Sequence, residues 1–152
     1  MKPEKARIGD IAQIQKLVNH FAAQGEMLPR ALSELYENVR DFLVVREGDE
    51  VVGCAALHVF WSDLAEIRAV AVAEEMQEKG VGLVVVGACL DEARELGIET
   101  VFCLTYRPEF FGRFGFQEVD KKDLPHKIWG ECLRCPKFPD CDEVAMVCPL
   151  GK

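Results

Sequence analysis

The sequence predicts an α/β protein, of the α+β arrangement, with about four helices on the two faces of a mixed β-sheet of about six or seven strands. The first observation is a run of three strand-like segments between residues 42 and 72. The second is the strand, loop, helix and strand of residues 65–104, which adds parallel pairing to an antiparallel run. The chain has 152 residues, 49% of them hydrophobic, which fits one domain, 1–152, with a sizeable core.

The N-terminal part of the chain is predicted to be mainly helical. After a short extended stretch, Asp10 is an expected N-cap, with Gln13 three residues further on. Gly25 and Pro29 end this helix, and a second short helix follows. The apolar residues that recur at helical spacing in the first helix are Ile11, Ile14, Leu17, Val18 and Phe21.

Strand signals dominate the middle of the chain. Residues 42–46 and 51–60 are apolar runs joined by a polar turn at residues 47–50, a spacing that predicts a β-hairpin. Residues 65–72 follow as a third antiparallel strand. The alternation in its first half predicts one polar face.

A buried helix is predicted at residues 83–96. The run Val84 to Val86 has a higher strand than helix propensity. The length of about 14 residues and the stop at Gly97 nevertheless favour a helix. The later elements, a strand, a helix opened by proline and two further strands, are predicted at residues 100–104, 108–114, 117–119 and 144–147.

Charge and hydropathy argue against two classes of partner. The chain has 18 basic and 26 acidic residues, a net charge of -8, so a nucleic-acid backbone would be repelled. Its apolar stretches are far shorter than the roughly 20 residues that a membrane helix needs. The first seven residues contain no apolar signal core, so the cytoplasm is the expected location.

A glycine motif, Gln77-x-x-Gly80-x-Gly82, lies between a predicted strand and a predicted helix. Backbone N–H groups at a helix N-terminus can hold a pyrophosphate. Glycine allows the backbone to approach the anion closely because no side chain is in the way. Taken alone, the motif also fits an ordinary glycine-containing loop.

The surroundings of this motif resemble the acyl-CoA-binding core of the GCN5-related N-acetyltransferases. The strand at 68–72 precedes the motif, the segment 110–116 follows it, and the order of elements agrees over nearly the whole chain. The resemblance implies acetyl-CoA as the donor. The strand residues that would pair with its pantetheine arm are Val70, Ala71 and Val72. The loop residues whose amides would hold its pyrophosphate are Gln77, Glu78, Lys79, Gly80, Val81 and Gly82.

Within that family the chain is similar to amino-acid N-acetyltransferases of the N-acetylglutamate synthase type. The supporting stretches are residues 25–30, 65–72, 104–107 and 110–116. This resemblance implies acetylation of the α-amino group of an amino acid, with L-glutamate as the expected acceptor and arginine biosynthesis as the expected pathway. Larger members of the family carry an amino-acid-kinase-like domain, for which 152 residues leave no room.

Five residues are candidates for the chemistry. The resemblance places a functional glutamate at Glu66, which would accept a proton from the amine directly or through water. Arg30, Arg68 and Arg107 are candidates to bind the carboxylates of an amino acid, because a guanidinium binds a carboxylate in a bidentate fork. Tyr106 is a candidate to protonate the leaving thiolate.

The residue that would act as the general acid, by protonating the leaving thiolate, differs from the family pattern. A tyrosine of the fourth helix often protonates the CoA thiolate in this superfamily. The matching position here is Phe111, which has no proton to give. The thiolate would then leave to solvent or take a proton from Tyr106.

Several residues of reactive types are expected to be structural. Cys54, Cys89 and Cys103 lie in apolar runs, where free cysteine is usually buried. His58 lies in a predicted strand and His20 ends a predicted helix. Both histidines are expected to have structural partners.

Four of the seven cysteines are crowded into the C-terminal segment 120–148. The first two form a C-x-x-C knuckle, a spacing that lets two thiolates bind one tetrahedral metal. The candidate ligands for zinc or an iron–sulfur cluster are Cys132, Cys135, Cys141 and Cys148, with His126 as an alternative to the last. The other interpretation is a reduced, redox-sensitive loop, because thiols stay free in a reducing cytosol.

Two other functions stay open at this stage. One is the same fold with glutamine, another amine metabolite or a protein N-terminus as the acceptor. The other is a non-catalytic acyl-CoA or metal-binding sensor, which Phe111 and the cysteines of segment 120–148 suggest. The sequence predicts neither a nucleic acid nor a membrane as partner and leaves the oligomeric state open, a homodimer included.

Overall fold

A single sheet organises the computed structural model, which describes residues 1–27, 29–124 and 143–151. The strands are β1 (Pro3–Lys5), β2 (Phe42–Glu47), β3 (Glu50–Trp61), β4 (Leu64–Val72), β5 (Thr100–Thr105), β6 (Gln117–Val119) and β7 (Val144–Pro149). They lie side by side in the order β1-β2-β3-β4-β5-β7-β6. The helices are α1 (Ile11–Ala23), α2 (Leu32–Glu37), α3 (Val81–Leu96) and α4 (Pro108–Gly112). Short 3-10 helices are Ile8–Asp10, Val39–Asp41, Glu74–Met76 and Lys121–Asp123.

The predicted fold class and the predicted order of elements are confirmed. The pairs from β1 to β4 are antiparallel, β4 and β5 are parallel, and β7 pairs antiparallel with both β5 and β6. Seven strands and four helices are therefore present over the described residues. Among them, no helix is long and apolar enough to cross a membrane.

Helices pack on both faces of the sheet. On one face, α3 buries Val85, Val86 and Leu90 against a cluster that includes Leu57 and Ile67. On the other face α1 packs, and the residues of that cluster include Ile11, Ile14, Val18, Leu35, Val44 and Ala71. Each helix thus covers the sheet with its apolar stripe, as an amphipathic element must.

Helix α3 begins two residues earlier than predicted, at Val81. Gly80 is its N-cap, with φ of 88°, a left-handed conformation that glycine adopts readily. The run Val84 to Val86 is helical although its propensity favours a strand. Val85 and Val86 are fully buried, so tertiary packing decides the conformation here.

Asp10 is the N-cap residue of α1, as predicted, but it makes no capping hydrogen bond to that helix. Its side chain does not cap α1; it accepts a hydrogen bond from the backbone N–H of Arg7 at 2.7 Å and pairs with Arg46. Gln13 reaches across to β3, where its Oε1 accepts from the N–H of Val51 at 2.8 Å. Arg7, Arg46 and Val51 are thus the partners of these two side chains, in place of the first turn of α1.

The parallel pair β4–β5 separates soon after it starts. Pairing runs through three positions, Leu64 to Glu66 against Thr100 to Phe102. Beyond Glu66, β4 continues to Val72 and β5 to Thr105, with no further pairing between these two described strands. The sheet therefore opens at Glu66 and exposes one backbone edge of β4.

A bulge in β4 changes which side chains face which helix. Cys54 pairs with Ala71 and Ala56 with Arg68, so β4 has one more residue than β3 between these pairs. The bulge contains Ala69, which has φ of 56°, unusual for a residue other than glycine. Ahead of the bulge, Glu66 and Arg68 lie on the face opposite Ile67, which packs against α3.

Candidate active site

The glycine motif forms the entry to α3 at the end of β4. The Nε2 of Gln77 donates to the carbonyl of Val72 at 3.2 Å, which ties the loop to the strand end. Glu78, with φ of 67°, and Gly80 both have left-handed backbone conformations. The first turn of a helix leaves N–H groups without intrahelical acceptors. These donors lie close to the open edge of β4, where an anionic ligand can accept from them.

Close packing explains why glycine stands at two positions, Gly82 of the motif and Gly53 of β3. A Cβ on Gly82 would meet the ring of Phe110 at 3.2 Å. A Cβ on Gly53, in β3, would lie 2.3 Å from a methyl carbon of Val81. The start of α3 therefore approaches β3 and α4 more closely than a side chain would permit.

Glu66 is a buried carboxylate at the point where β4 and β5 part. The residue is 7% exposed, and its register partners are His58 in β3 and Phe102 in β5. Its Oε1 lies 3.4 Å from Nη1 of Arg68, and both side chains are 10% exposed. Glu66 thus lies on the face opposite Ile67, as the sequence predicts, in an enclosed position beside a charged partner.

Two of the three candidate arginines, Arg30 and Arg68, line one small cavity that opens to solvent between α2 and the sheet. The other lining residues are Glu34, Leu35, Asn38, Asp41, Phe42, Ala56 and Ala69. The cavity thus combines two guanidinium groups with two carboxylates. Arg107 is not among the described lining residues.

Each candidate arginine has a glutamate partner. The Nη1 of Arg30 lies 2.7 Å from Oε1 of Glu34, and the backbone N–H of Arg30 donates to Asn19 at 3.1 Å. Arg107 Nη2 lies 3.2 Å from Oε1 of Glu26, and its side chain is 64% exposed. A guanidinium has five N–H donors, so one such partner leaves donors for a second carboxylate.

The residues proposed for the leaving group occupy different environments. Phe111 is 5% exposed, with its ring centroid 5.4 Å from that of Phe116 and 5.1 Å from that of Phe110. This position belongs to the hydrophobic core. Tyr106 lies half-buried between β5 and α4.

The predicted metal ligands Cys132, Cys135 and Cys141, and the alternative His126, lie outside the described residues. Cys148 is described: it lies in β7, is buried, and its Sγ is 3.7 Å from the carbonyl oxygen of Phe114. Burial raises the pKa of this thiol. In the described part of the chain, no three His, Cys, Asp or Glu side chains form a group that could hold a metal ion.

The three cysteines predicted to be structural are buried core residues. Burial raises the pKa of Cys54 to about 12, and it raises the pKa of Cys89 and of Cys103 as well. All three therefore stay thiols at neutral pH. They are neither nucleophiles nor metal ligands in this state.

Both histidines that are predicted to be structural have carboxylate partners. His20 Nε2 lies 2.8 Å from Oε1 of Glu74, and His58 Nδ1 lies 2.7 Å from Oδ2 of Asp41. Each of them therefore has the hydrogen-bonding partner that the sequence analysis expects. The position of His58 opposite Glu66 was not predictable from either residue alone, because it depends on the register of β3 against β4.

Comparison with known proteins now decides the family. The model of the Acetyltransferase (GNAT) family matches residues 10–116. The chain belongs to the GNAT family. The resemblance inferred from the glycine motif and its surroundings is thereby confirmed.

Relatives within the GNAT family are similar over most of this chain. An uncharacterized N-acetyltransferase, CT2212, from Chlorobaculum tepidum is 40% identical over 142 residues, which are 93% of this chain and 92% of the relative. An amino-acid acetyltransferase from Mycobacterium tuberculosis is 41% identical over 133 residues, 86% of this chain and 76% of that protein.

Solved GNAT structures show the same fold. Rv2747 from Mycobacterium tuberculosis, in complex with CoA and NLQ, has a TM-score of 0.85 at 36% identity and is covered, like this chain, over 99% of its length. N-acetylglutamate synthase from Neisseria gonorrhoeae, complexed with coenzyme A and N-acetyl-glutamate, has a TM-score of 0.90 at 27% identity. The match covers 99% of this chain and 35% of that larger protein.

Proposed function

We propose that this protein is an acetyl-CoA-dependent N-acetyltransferase that acetylates the α-amino group of an amino acid, with L-glutamate as the first acceptor to test. The observation that carries the proposal is the enclosed pair Glu66–Arg68 at the opening of the sheet, because Arg68 of this pair lines the same cavity as Arg30. A base and carboxylate-binding groups thus lie together. Relatives named amino-acid acetyltransferase support the class of acceptor.

The proposed donor site is the exposed edge of β4 together with the start of α3. Backbone groups of Val70, Ala71 and Val72 would pair with the pantetheine arm, as another strand would. The N–H groups around residues 77–82 would hold the pyrophosphate, because a helix N-terminus attracts anions. Coenzyme A in the two similar structures supports this assignment.

The proposed acceptor site is the cavity between α2 and β4. An α-carboxylate would bind in the fork of Arg30 or Arg68, where a guanidinium offers two parallel N–H donors. Arg107 pairs with Glu26 and does not line this cavity, so it is the last of the three arginines to test. The ammonium group would then lie towards Glu66.

The proposed reaction is direct transfer in a ternary complex. Glu66 takes one proton from the substrate ammonium, directly or through water, and the free amine attacks the thioester carbonyl. Backbone N–H groups near residues 70–72 would stabilise the negative charge on the carbonyl oxygen. The C–S bond then breaks, and the second proton lost by the nitrogen neutralises the CoA thiolate, through Tyr106 or solvent.

A second acceptor, L-glutamine, is favoured by the charges of the cavity. Its two arginines are balanced by Glu34 and Asp41, and Glu66 adds a further negative charge beside Arg68. A substrate with one carboxylate fits this balance, whereas glutamate brings two. Glutamine is therefore the alternative acceptor to compare directly.

The deciding experiment measures acetyl-CoA consumption against the twenty amino acids, with each product identified by mass. We expect an N-acetylated amino acid with glutamate or glutamine, and Glu66→Gln to lower kcat by about 10²- to 10⁴-fold because the base is lost. Arg30→Ala and Arg68→Ala should raise KM for the acceptor and leave KM for acetyl-CoA unchanged. If no amino acid is acetylated while CoA still binds, the acyl-CoA sensor becomes the correct interpretation.

A further inference from the structure

The pair His58–Asp41 lies beside the pair Glu66–Arg68. His58 stands directly opposite Glu66 in the antiparallel ladder of β3 and β4. Residues that oppose each other in this way place their side chains on the same face, with Cβ atoms about 4.5 to 5.5 Å apart. His58 Nδ1 is in turn 2.7 Å from Oδ2 of Asp41. Asp41, His58 and Glu66 are therefore neighbours on this face, and Arg68, which lines the same cavity as Asp41, lies beside Glu66.

The side chains of His58 and Asp41 are more exposed to solvent than that of Glu66. The Glu66 side chain is 10% exposed, whereas the side chains of His58 and Asp41 are 26% and 24% exposed. A proton that Glu66 accepts thus has little contact with solvent at Glu66 itself. The imidazole next to it is in partial contact with water and can exchange a proton there.

The imidazole of His58 also contacts an aromatic ring, that of Phe60. The ring of His58 meets Phe60 edge-on, with centroids 5.1 Å apart and an interplanar angle of 82°. Phe60 in turn contacts Phe102, the β5 partner of Glu66, at 5.6 Å. With Asp41 on Nδ1, the second ring nitrogen is the one left for proton exchange. The charged groups that face His58 are Asp41 from the 3-10 helix and, from β4, Glu66 with Arg68 behind it.

We propose that His58, oriented by Asp41, is a positioning residue for Glu66 that takes the proton Glu66 accepts from the substrate ammonium and releases it to solvent. This inference rests on the proposed function. The reaction must release one proton, because an ammonium and a thioester give an amide, a thiol and one free proton. The proton moves from the nitrogen to the Glu66 carboxylate, then through a bridging water to the imidazole, then to solvent, and Glu66 is a carboxylate again for the next turnover.

Chemical rescue tests the proposal. His58→Ala should lower kcat roughly tenfold or more with little change in KM for either substrate, and added imidazole in the buffer should restore kcat as its concentration rises. A merely structural histidine would not give this dependence on buffer. The matched control is His20→Ala, which removes an imidazole held by a carboxylate at 2.8 Å but on α1. Its kcat should stay unchanged, with or without imidazole.

A double substitution separates this inference from the proposed function. In a Glu66→Gln background, His58→Ala should cause no further loss, because the two residues act in one series. If Glu66→Gln lowers kcat but His58→Ala does not, only the role of His58 is wrong. If Glu66→Gln retains full activity, the base assignment fails as well. Additive losses, or a loss that imidazole does not restore, also overturn the role of His58.

A second variant keeps the test valid if His58→Ala is unstable in urea. Asp41→Asn retains the imidazole and most of the volume, and it removes the anion that orients the ring. We expect a smaller fall in kcat, at constant KM for acetyl-CoA, that added imidazole partly restores. An Asp41→Asn enzyme with unchanged kcat would contradict the proposal.

Discussion

At the scale of single residues, Asp10 and Arg46 form a largely buried ion pair that joins the start of α1 to β2. Their side chains are 9% and 15% exposed, and Arg46 Nη1 also lies 3.0 Å from Glu4. Burial alone would raise the pKa of Asp10. The hydrogen bonds from Arg46 and from the backbone of Arg7, with the Arg46 charge, outweigh it and lower that pKa. The hydrogen bond to Asp10 likewise raises the pKa of Arg46.

Asp10→Asn should reduce the free energy of unfolding by about 1.5 to 3 kcal/mol at pH 7, because a hydrogen bond to a charged group is lost. A carboxyl whose pKa is lowered in the folded state stabilises the fold above its ordinary pKa. The difference between Asp10→Asn and the unchanged protein should therefore shrink as the pH falls below about 4. Urea denaturation at several pH values measures it.

The control for this prediction is Asp91→Asn. Asp91 and Arg94 form an exposed pair on α3, with side chains 77% and 53% exposed. Exposed pairs are usually worth less than about 1 kcal/mol, so this variant should change little. Equal losses in both variants, or a loss for Asp10→Asn that does not depend on pH, would contradict the account given for Asp10.

At the scale of elements, the position of α3 depends on close contact between its first turn and its neighbours. Val81 lies over Gly53 of β3, and Phe110 of α4 lies over Gly82. The loop of residues 77–82 thus has its place because two glycines lack a side chain. This explains why the start of a helix can lie so near the open edge of β4.

Gly53→Ala should lower the free energy of unfolding by about 1 to 3 kcal/mol, since the added methyl group would overlap Val81 and force the helix to move. It should also weaken CoA binding, because the shift moves the N–H groups of α3. Urea denaturation and calorimetric titration with CoA measure the two effects.

Gly87→Ala is the matched control in the same helix. A Cβ there meets nothing within 4 Å, so alanine should stabilise α3 by about 0.5 to 1 kcal/mol and leave CoA affinity unchanged. If Gly53→Ala binds CoA as tightly as Gly87→Ala does, the contact between β3 and α3 does not position the loop of residues 77–82.

At the scale of the whole molecule, ligand binding and folding are linked. A ligand that binds the folded chain alone stabilises it by about 2.7 kcal/mol at a hundred times its Kd. For a chain of this length the melting temperature should rise by about 5 to 11 °C. CoA should give this rise in a thermal-melt experiment.

Pantetheine at the same concentration provides the comparison, since it lacks the pyrophosphate and the nucleotide. It should shift the melting temperature much less than CoA, because the N–H groups of the glycine loop then have no anion to bind. Equal shifts would show that the loop of residues 77–82 does not recognise the pyrophosphate.

The sequence by itself determined the order of the elements and the family. Periodicity and glycine stops predicted the strands and α-helices of the described chain in their correct order, though not its short 3-10 helices. These are local signals, carried by neighbouring residues. Glu66, Arg30 and Arg68 were likewise identified by short stretches that resemble a family.

Only the tertiary structure decided which of these residues share a site. Arg30 and Arg68 line one cavity, Arg107 pairs with Glu26 outside it, and Asp10 forms an ion pair instead of a capping hydrogen bond. Likewise, His58 faces Glu66 because of strand register. The physical reason is that such contacts join residues far apart in the chain, through pairing and packing that no local pattern encodes.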